Sequence, residues 1–327
     1  MNKGLEIWQF ATERLKRDES VMLLVVAESS GSSPGRQGFK MIVAEDEMCG
    51  SIGGGVMEVR LVELAKVKSK KAKSKIDSEI VEQVHRNSSA NSSGMICSGK
   101  QTVIFFKLNP PHLQTVRQII RALKKHQPKI LQISDSKFQI SVKQANEFDF
   151  RFEQQSESEF LYEEKLGFKN KLFIIGGGHC ALALSELMSK MDFHISLFDD
   201  RADLNTLAKN KFVHEKQIIE SYANIGDFIP SGANNYVVVM TLGYKFDEIV
   251  IRKLIDKDFK YFGVLGSKAK MKTLLRNLEK EGFLKEKLNQ ICTPIGLPIN
   301  SRTPEEIAVS IAAEIILYKN FKVKSKK

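Results

Sequence analysis

The sequence predicts an α/β protein in two parts: an N-terminal α/β domain of mixed α+β character over residues 1–160, and a C-terminal domain with a parallel sheet over residues 168–327. Three observations carry this prediction. With 327 residues the chain is long enough for two hydrophobic cores. In the second half, apolar runs repeatedly end in glycine or polar turns and give way to helical spacing, the pattern of parallel strands joined by helices. In the first half, short apolar runs alternate with turn-rich stretches, and a polar, acidic segment at 154–166 reads as the linker between the halves.

The segment 171–201 (KLFIIGGGHCALALSELMSKMDFHISLFDDR) organises the second domain. The apolar run 172–175 breaks into Gly176, Gly177 and Gly178, helical spacing follows at Leu182, Leu184, Leu187 and Met188, and a second apolar run ends at Asp199. Gly176, Gly178 and Ala181 fit G-x-G-x-x-A, the strand–turn–helix of a Rossmann-like fold. There, glycines permit a tight turn, close approach to a phosphate and close helix–strand packing. Unpaired N–H groups at the helix start favour an anion, so Gly176, Gly177, Gly178 and His179 are expected to bind phosphate. Asp199 lies about twenty residues on, where an acid accepts hydrogen bonds from a ribose, with Arg201 beside it. The same glycines also suit a tight βα turn that binds nothing.

Composition narrows the classes. A chain that is 42% hydrophobic and 27% charged is globular, and no stretch approaches the roughly twenty apolar residues of a membrane span. The start, MNKGLEIWQFATERLKRDES, reads as an amphipathic helix rather than a signal peptide, which places the protein in the cytoplasm. Much of the net charge of +11 sits in lysine runs at 66–75 and 322–327, without interleaved aromatics, so no nucleic-acid partner is expected. Cys49, Cys97, Cys180 and Cys292 show no paired spacing, so neither a disulfide framework nor a zinc site is indicated.

Along the first domain, 7–17 reads as a helix, 21–27 as a buried strand, 29–40 as a turn-rich loop and 41–43 as a short strand. Gly53, Gly54 and Gly55 then open a helix over 56–66. Successive glycines let backbone N–H groups curl into an anion nest, and they equally make a sharp strand-to-helix corner. Arg36 offers a planar guanidinium for a phosphate or a pterin carbonyl. Arg36, Gly53, Gly54, Gly55 and Glu58 are therefore the cofactor-binding residues expected here. A helix is expected at 76–85, then a polar loop, 87–100, carrying Cys97. A cysteine among small residues before a strand is either an exposed thiolate or a small buried hydrophobe. The strand 103–107, a helix at 113–125 and strands near 130–133, 138–142 and 148–152 are expected to complete one sheet.

Beyond Arg201, 212–213 reads as a short strand, 235–241 and 261–265 as buried strands, and 247–257 and 271–281 as helices. Gly266, Ser267 and Lys268 close the last strand at the carboxyl edge, where ligands bind such sheets. Thr303 and Glu306 form a capping box, with Pro304 at the first turn of the closing helix.

These pieces, in this order, resemble the XdhC/CoxI family, the xanthine dehydrogenase accessory factors. The resemblance rests on GSSPGRQGFKMIV (31–43), GSIGGGVMEVRLVELA (50–65), GMICSG (94–99), FIIGGGHCALAL (173–184), VVVMTLGYKFD (237–247), GVLGSKAKM (263–271) and PIGLPINSRTPEEIAVSIAAEI (294–315). It implies a chaperone that binds molybdenum cofactor, assists its sulfuration with a cysteine desulfurase and hands it to a xanthine dehydrogenase-type molybdenum hydroxylase. It also implies that both glycine nests hold phosphate groups and that Cys97 contacts the cofactor's sulfur or metal. A homodimer is expected. Tyr244 stands where the family commonly has His, and Ser98 where glycine is usual; either departure would alter ligand preference. The alternative is an NAD(P)-dependent oxidoreductase: Asp199 favours NAD and Arg201 admits a 2′-phosphate, but His179 and His194 form no acid–base pair.

Overall fold

The structure, a computed structural model, describes residues 4–70, 78–84, 99–125, 129–135, 137–141, 148–156 and 159–320. It divides into two units, Met1–Gly167 and Phe168–Lys327.

The first unit is built on α1 (Leu5–Lys16), β1 (Val21–Gly31), β2 (Lys40–Val43), β3 (Met48–Gly50), α2 (Gly55–Lys70), β4 (Ser78–Val84) and β5 (Gly99–Leu108). It continues with α3 (Leu113–Lys124), β6 (Lys129–Ser134), β7 (Phe138–Ser141), β8 (Phe150–Gln154) and β9 (Phe160–Leu166). The strands form two antiparallel sheets, β3-β2-β1-β5-β4 and β7-β6-β9-β8, where a single sheet was expected. β1 lies at the centre of the first and is buried on both faces. Leu23, Val25 and Ala27 pack into the core with Trp8 of α1 and Ile119 of α3, while Met22, Leu24 and Val26 pack on Leu61 and Ala65 of α2. A strand covered on both sides reads as a continuous apolar run, as VMLLVVA does.

Two further expectations fail in this unit. Over 78–84 the chain is β4, not a helix: Ile80, Val81 and Val84 satisfy helical spacing, but β5 has an open edge whose backbone groups take this segment as a partner from Ser78–Phe106 to Val84–Lys100. Nor is 154–166 a linker throughout, because β9 runs down the middle of the second sheet. Its acidic residues are paired across the strands. Glu163 is buried beside Gln132 and Arg151, and Glu164 receives Lys40 of β2 and the Tyr162 hydroxyl. Charge that looks solvated in sequence is here satisfied inside the unit.

The second unit contains β10 (Asn170–Ile175), α4 (His179–Met188), β11 (Phe193–Asp199), α5 (Asn205–Lys209), β12 (Glu215–Ile218), α6 (Ile225–Phe228) and β13 (Gly232–Val239). After these come α7 (Tyr244–Leu254), β14 (Phe259–Val264), α8 (Lys268–Lys280), α9 (Lys285–Leu288) and α10 (Pro304–Asn320). The strands make a parallel sheet in the order β12-β11-β10-β13-β14. α4 and α10 cover one face and α7 and α8 the other. The direction of connection reverses between β10 and β13, which opens a crevice at their carboxyl ends. The strand expected at 212–213 lies instead at β12, because His214 N–H reaches the Ile195 carbonyl and pairing with β11 begins only at Glu215. The capping box of α10 is present: Glu306 N–H donates to Thr303 Oγ1 at 3.2 Å, and Thr303 N–H to Glu306 Oε2 at 3.3 Å. No helix among the described residues is long and apolar enough to cross a membrane.

Candidate functional site

In the first unit, three glycine-bearing stretches meet backbone to backbone. A Cβ on Gly35 would fall 2.1 Å from the Ile52 carbonyl oxygen, one on Gly53 2.4 Å from Gly35 N, and one on Gly99 2.6 Å from Ser33 N. Only glycine allows such approach. Gln101 of β5, 3% exposed, locks the meeting point. Its Oε1 accepts from Ser33 Oγ at 2.9 Å and Gly35 N at 3.3 Å, and its Nε2 donates to Ile52 O at 3.1 Å. Arg36 is exposed on this loop, its Nη1 3.4 Å from Gly31 O. Beside the loop a cavity of about 240 Å³ is lined by Glu28, Ser29, Ser30, Gln37, Lys100 and Thr102. Cys97 lies outside the described residues.

The corner at Gly53–Gly55 has the backbone expected of an anion nest, with φ of 134°, 76° and 71° at its three glycines. Its anion, however, is the protein's own. Glu58, the fourth residue of α2, reaches back so that Oε2 accepts from Ser51 Oγ at 2.7 Å, Ile52 N at 2.8 Å and Gly54 N at 2.9 Å. Burial works to raise the Glu58 carboxyl, but the bonds from Ser51 and from the amides of Gly54 and Ile52 outweigh it and hold the group below its ordinary value. Glu58 was expected to touch a cofactor; here it fills the donors that a phosphate would have used.

The second unit repeats the device. Asp199 is fully buried at the end of β11. Its Oδ2 accepts from Gly177 N at 2.6 Å and Arg201 Nη2 at 2.8 Å, and its Oδ1 from Arg201 N and Nε, both at 2.9 Å. Burial pushes this carboxyl up, yet the Arg201 and Gly177 bonds win and its pKa is lowered. A carboxylate offers about four lone-pair positions, and these bonds use them. A ribose hydroxyl reaching Asp199 would have to displace Arg201. Gly177 is also closed from the other side, since Thr206 Oγ1 donates to its carbonyl. A Cβ there would meet Leu207 at 2.8 Å and Asp199 at 3.3 Å, so this glycine makes room for protein rather than for phosphate.

The next amides are different. Among the described residues, those of Gly178 and His179 at the start of α4 have no protein acceptor, and a Cβ on Gly178 would meet nothing within 4 Å. The anion-binding expectation keeps its physical basis at these two residues. Gly266, Ser267 and Lys268 follow β14, with β13 between them and the glycine turn. Ser267 Oγ accepts from Lys270 N at 3.4 Å as the cap of α8, and Lys268 is exposed.

Sequence reasoning missed Gln101, Asp247 and Tyr222. Asp247 is the fourth residue of α7 and reaches back to the Thr241 amide and hydroxyl, as Glu58 does to its own corner. An acid at that offset after a glycine corner was the available signal. Gln101, in the middle of a strand, had none.

Two family models match the chain: the XdhC and CoxI family over residues 14–75 and the XdhC Rossmann domain over 172–315. The chain is 28% identical over 156 residues to an uncharacterized protein, YqeB, of Escherichia coli, covering 47% of this chain and 28% of that protein. It is 30% identical over 160 residues to a probable xanthine dehydrogenase subunit of Bacillus subtilis, covering 48% of this chain and 45% of that one. The chain thus spans less than half the length of either relative. A crystal structure of a xanthine dehydrogenase from Bacillus halodurans superposes with a TM-score of 0.71 at 20% identity over 98% of both chains, a likeness of fold. With both domain models matched in order along its length, the chain belongs to the XdhC and CoxI family.

Proposed function

We propose that this protein is a xanthine dehydrogenase accessory factor that binds molybdenum cofactor, shelters it during sulfuration by a cysteine desulfurase, and hands it to a xanthine dehydrogenase-type molybdenum hydroxylase. In this reading the cofactor is cargo, and the chain has no turnover of its own. The observation that supports it most is the meeting of three separate stretches at Gln101. It brings together the loop of Arg36, the corner closed by Glu58 and the strand that Ser98 joins to Cys97. Cys97 is proposed as the contact to the cofactor's sulfur or metal, and Arg36 as a guanidinium for its phosphate or pterin carbonyl. The free amides of Gly178 and His179 are proposed to take phosphate in the second unit. A homodimer acting in the cytoplasm completes the proposal.

The test is direct. The purified chain is mixed anaerobically with molybdenum cofactor released from a carrier and passed over gel filtration. Co-elution is expected, weakened in Cys97→Ala together with activation of an apo hydroxylase. Failure of the wild-type chain to retain any cofactor would refute the proposal, and an unchanged Cys97→Ala would reduce that cysteine to packing.

A further inference from the structure

α10 is apolar nearly all round, although only part of it faces the core. Ala308, Ile311, Ala312 and Ile315 pack inward beside α4. Ser310 is covered by the loop before the helix, where its Oγ donates to Leu297 O at 2.7 Å. The outer row is Val309, Ala313, Ile316 and Asn320, at i, i+4, i+7 and i+11 on one side of the helix, with Leu317 next to it. Val309 and Leu317 are each 51% exposed, and Ala313 and Ile316 are half-buried. The loop tied to Ser310 adds Ile299, itself half exposed. A helix whose outer side meets only water carries polar residues there, as α8 does with exposed Lys268, Lys272, Arg276 and Lys280 in one row. α10 breaks that pattern, so its outer row has the composition of a contact surface.

The row also indicates what covers it. It is symmetric about Ala313, with Val309 four residues before and Leu317 four residues after. A second α10 crossing antiparallel at that point would set Val309 of each copy against Leu317 of the other, and the small Ala313 at the centre lets the helices approach closely. Charge favours the same arrangement. The first turn carries Glu305 and Glu306, the last turn carries Lys319, and the sequence continues as FKVKSKK. Antiparallel helices bring these unlike ends together, whereas parallel ones would set like against like. Glu305 and Lys319, the latter held 5.3 Å from the centroid of the Phe193 ring, lie on the same flank of the row by helical spacing. We propose that the outer face of α10 is the twofold contact between two copies of this chain, packed antiparallel about Ala313. A partner of another kind would use an apolar face but has no need of one symmetric about its middle residue. The inference rests on the homodimer of the proposed function and adds which face forms it. One helix face about 25 Å long supplies less than the roughly 800 Å² per copy of a standard interface, so the dimer is expected to dissociate in the micromolar range.

Sedimentation velocity of the full chain over a concentration series tests it. The wild-type chain is expected to pass from monomer to dimer. Leu317→Glu changes an exposed position and leaves the core untouched, so its circular dichroism should match the wild type. Across a twofold axis the lost leucine counts twice, and dimerisation should weaken at least about thirtyfold. Glu305→Lys and Lys319→Glu should each weaken the dimer, and the double variant, which restores unlike charges across the axis, should recover it. A double variant no stronger than the singles would overturn the antiparallel arrangement. A wild-type dimer indifferent to both Leu317→Glu and Val309→Glu would overturn this inference while leaving the homodimer standing on another face. A chain that stays monomeric at every concentration would remove the homodimer and this inference together, while cofactor retention on gel filtration is decided separately.

Discussion

Replacing Glu58 by Gln tests the self-closed corner of the first unit. The wild-type carboxylate accepts three bonds, from Ser51 Oγ at 2.7 Å, Ile52 N at 2.8 Å and Gly54 N at 2.9 Å. Each bond to a charged acceptor contributes roughly 1.5–3 kcal/mol in a buried setting. Glu58 is only part-buried, and solvent screening brings the expected loss for all three to about 2 kcal/mol. With a urea m-value of about 2 kcal/mol/M, the unfolding midpoint should fall by about 1 M. Trp8 is the single tryptophan and sits in the core of the first unit, so its fluorescence reports this unit alone. The pH dependence follows from the depressed carboxyl. A group whose folded pKa lies below its unfolded value of about 4.3 stabilises fully above that pH, and the benefit disappears as pH falls through the folded value. The gap between wild type and Glu58→Gln should therefore be full at neutral pH and shrink in acid. By the same Trp8 signal, phosphate should restore part of the first unit's stability in Glu58→Ala and leave that of the wild-type first unit unchanged, because only the variant's freed amides become an anion nest there. A midpoint shift below about 0.3 M, or a gap that persists in strong acid, would refute the argument.

Two further outcomes are expected. Gln101→Leu removes three buried bonds and strands Ser33 Oγ, Gly35 N and Ile52 O, so it should cost about 3 kcal/mol by the same Trp8 assay; a loss under about 0.5 kcal/mol would mean that the backbone packing holds the three stretches without it. Gly178→Ala enters open space at an ordinary φ of −71° and should leave the melting temperature unchanged while weakening phosphate binding several-fold, whereas undiminished binding would remove the α4 amides from the site.

Much of the architecture was legible in the residues. The run VMLLVVA read as a fully buried strand, as it is, and 172–199 carried its own strand, glycine turn, helix and second strand. Thr303 and Glu306 fixed the start of α10 through bonds between neighbours in sequence. These features depend on local periodicity and capping, which a chain carries wherever it folds. β4 and β9 misled because pairing partners distant in sequence decided them: the open edge of β5 took a helix-spaced segment, and Lys40, Arg151 and Gln132 satisfied acids that looked like linker.

The glycine corners show the same division more sharply. Sequence alone offered two outcomes at each corner, amides curled toward an anion or a sharp turn that binds nothing, and glycine's freedom permits both; the positive φ angles fall at Gly53, Gly54 and Gly55 in the first corner and at Gly176 in the second. Only the tertiary structure decided which anion arrives. Glu58 reaches back from one helical turn away and Asp199 comes from a neighbouring strand, and both take donors that a phosphate would need. Hydrogen-bond satisfaction is settled by what lies within about 3 Å in space, and that distance is set by the packing of the whole unit rather than by spacing along the chain.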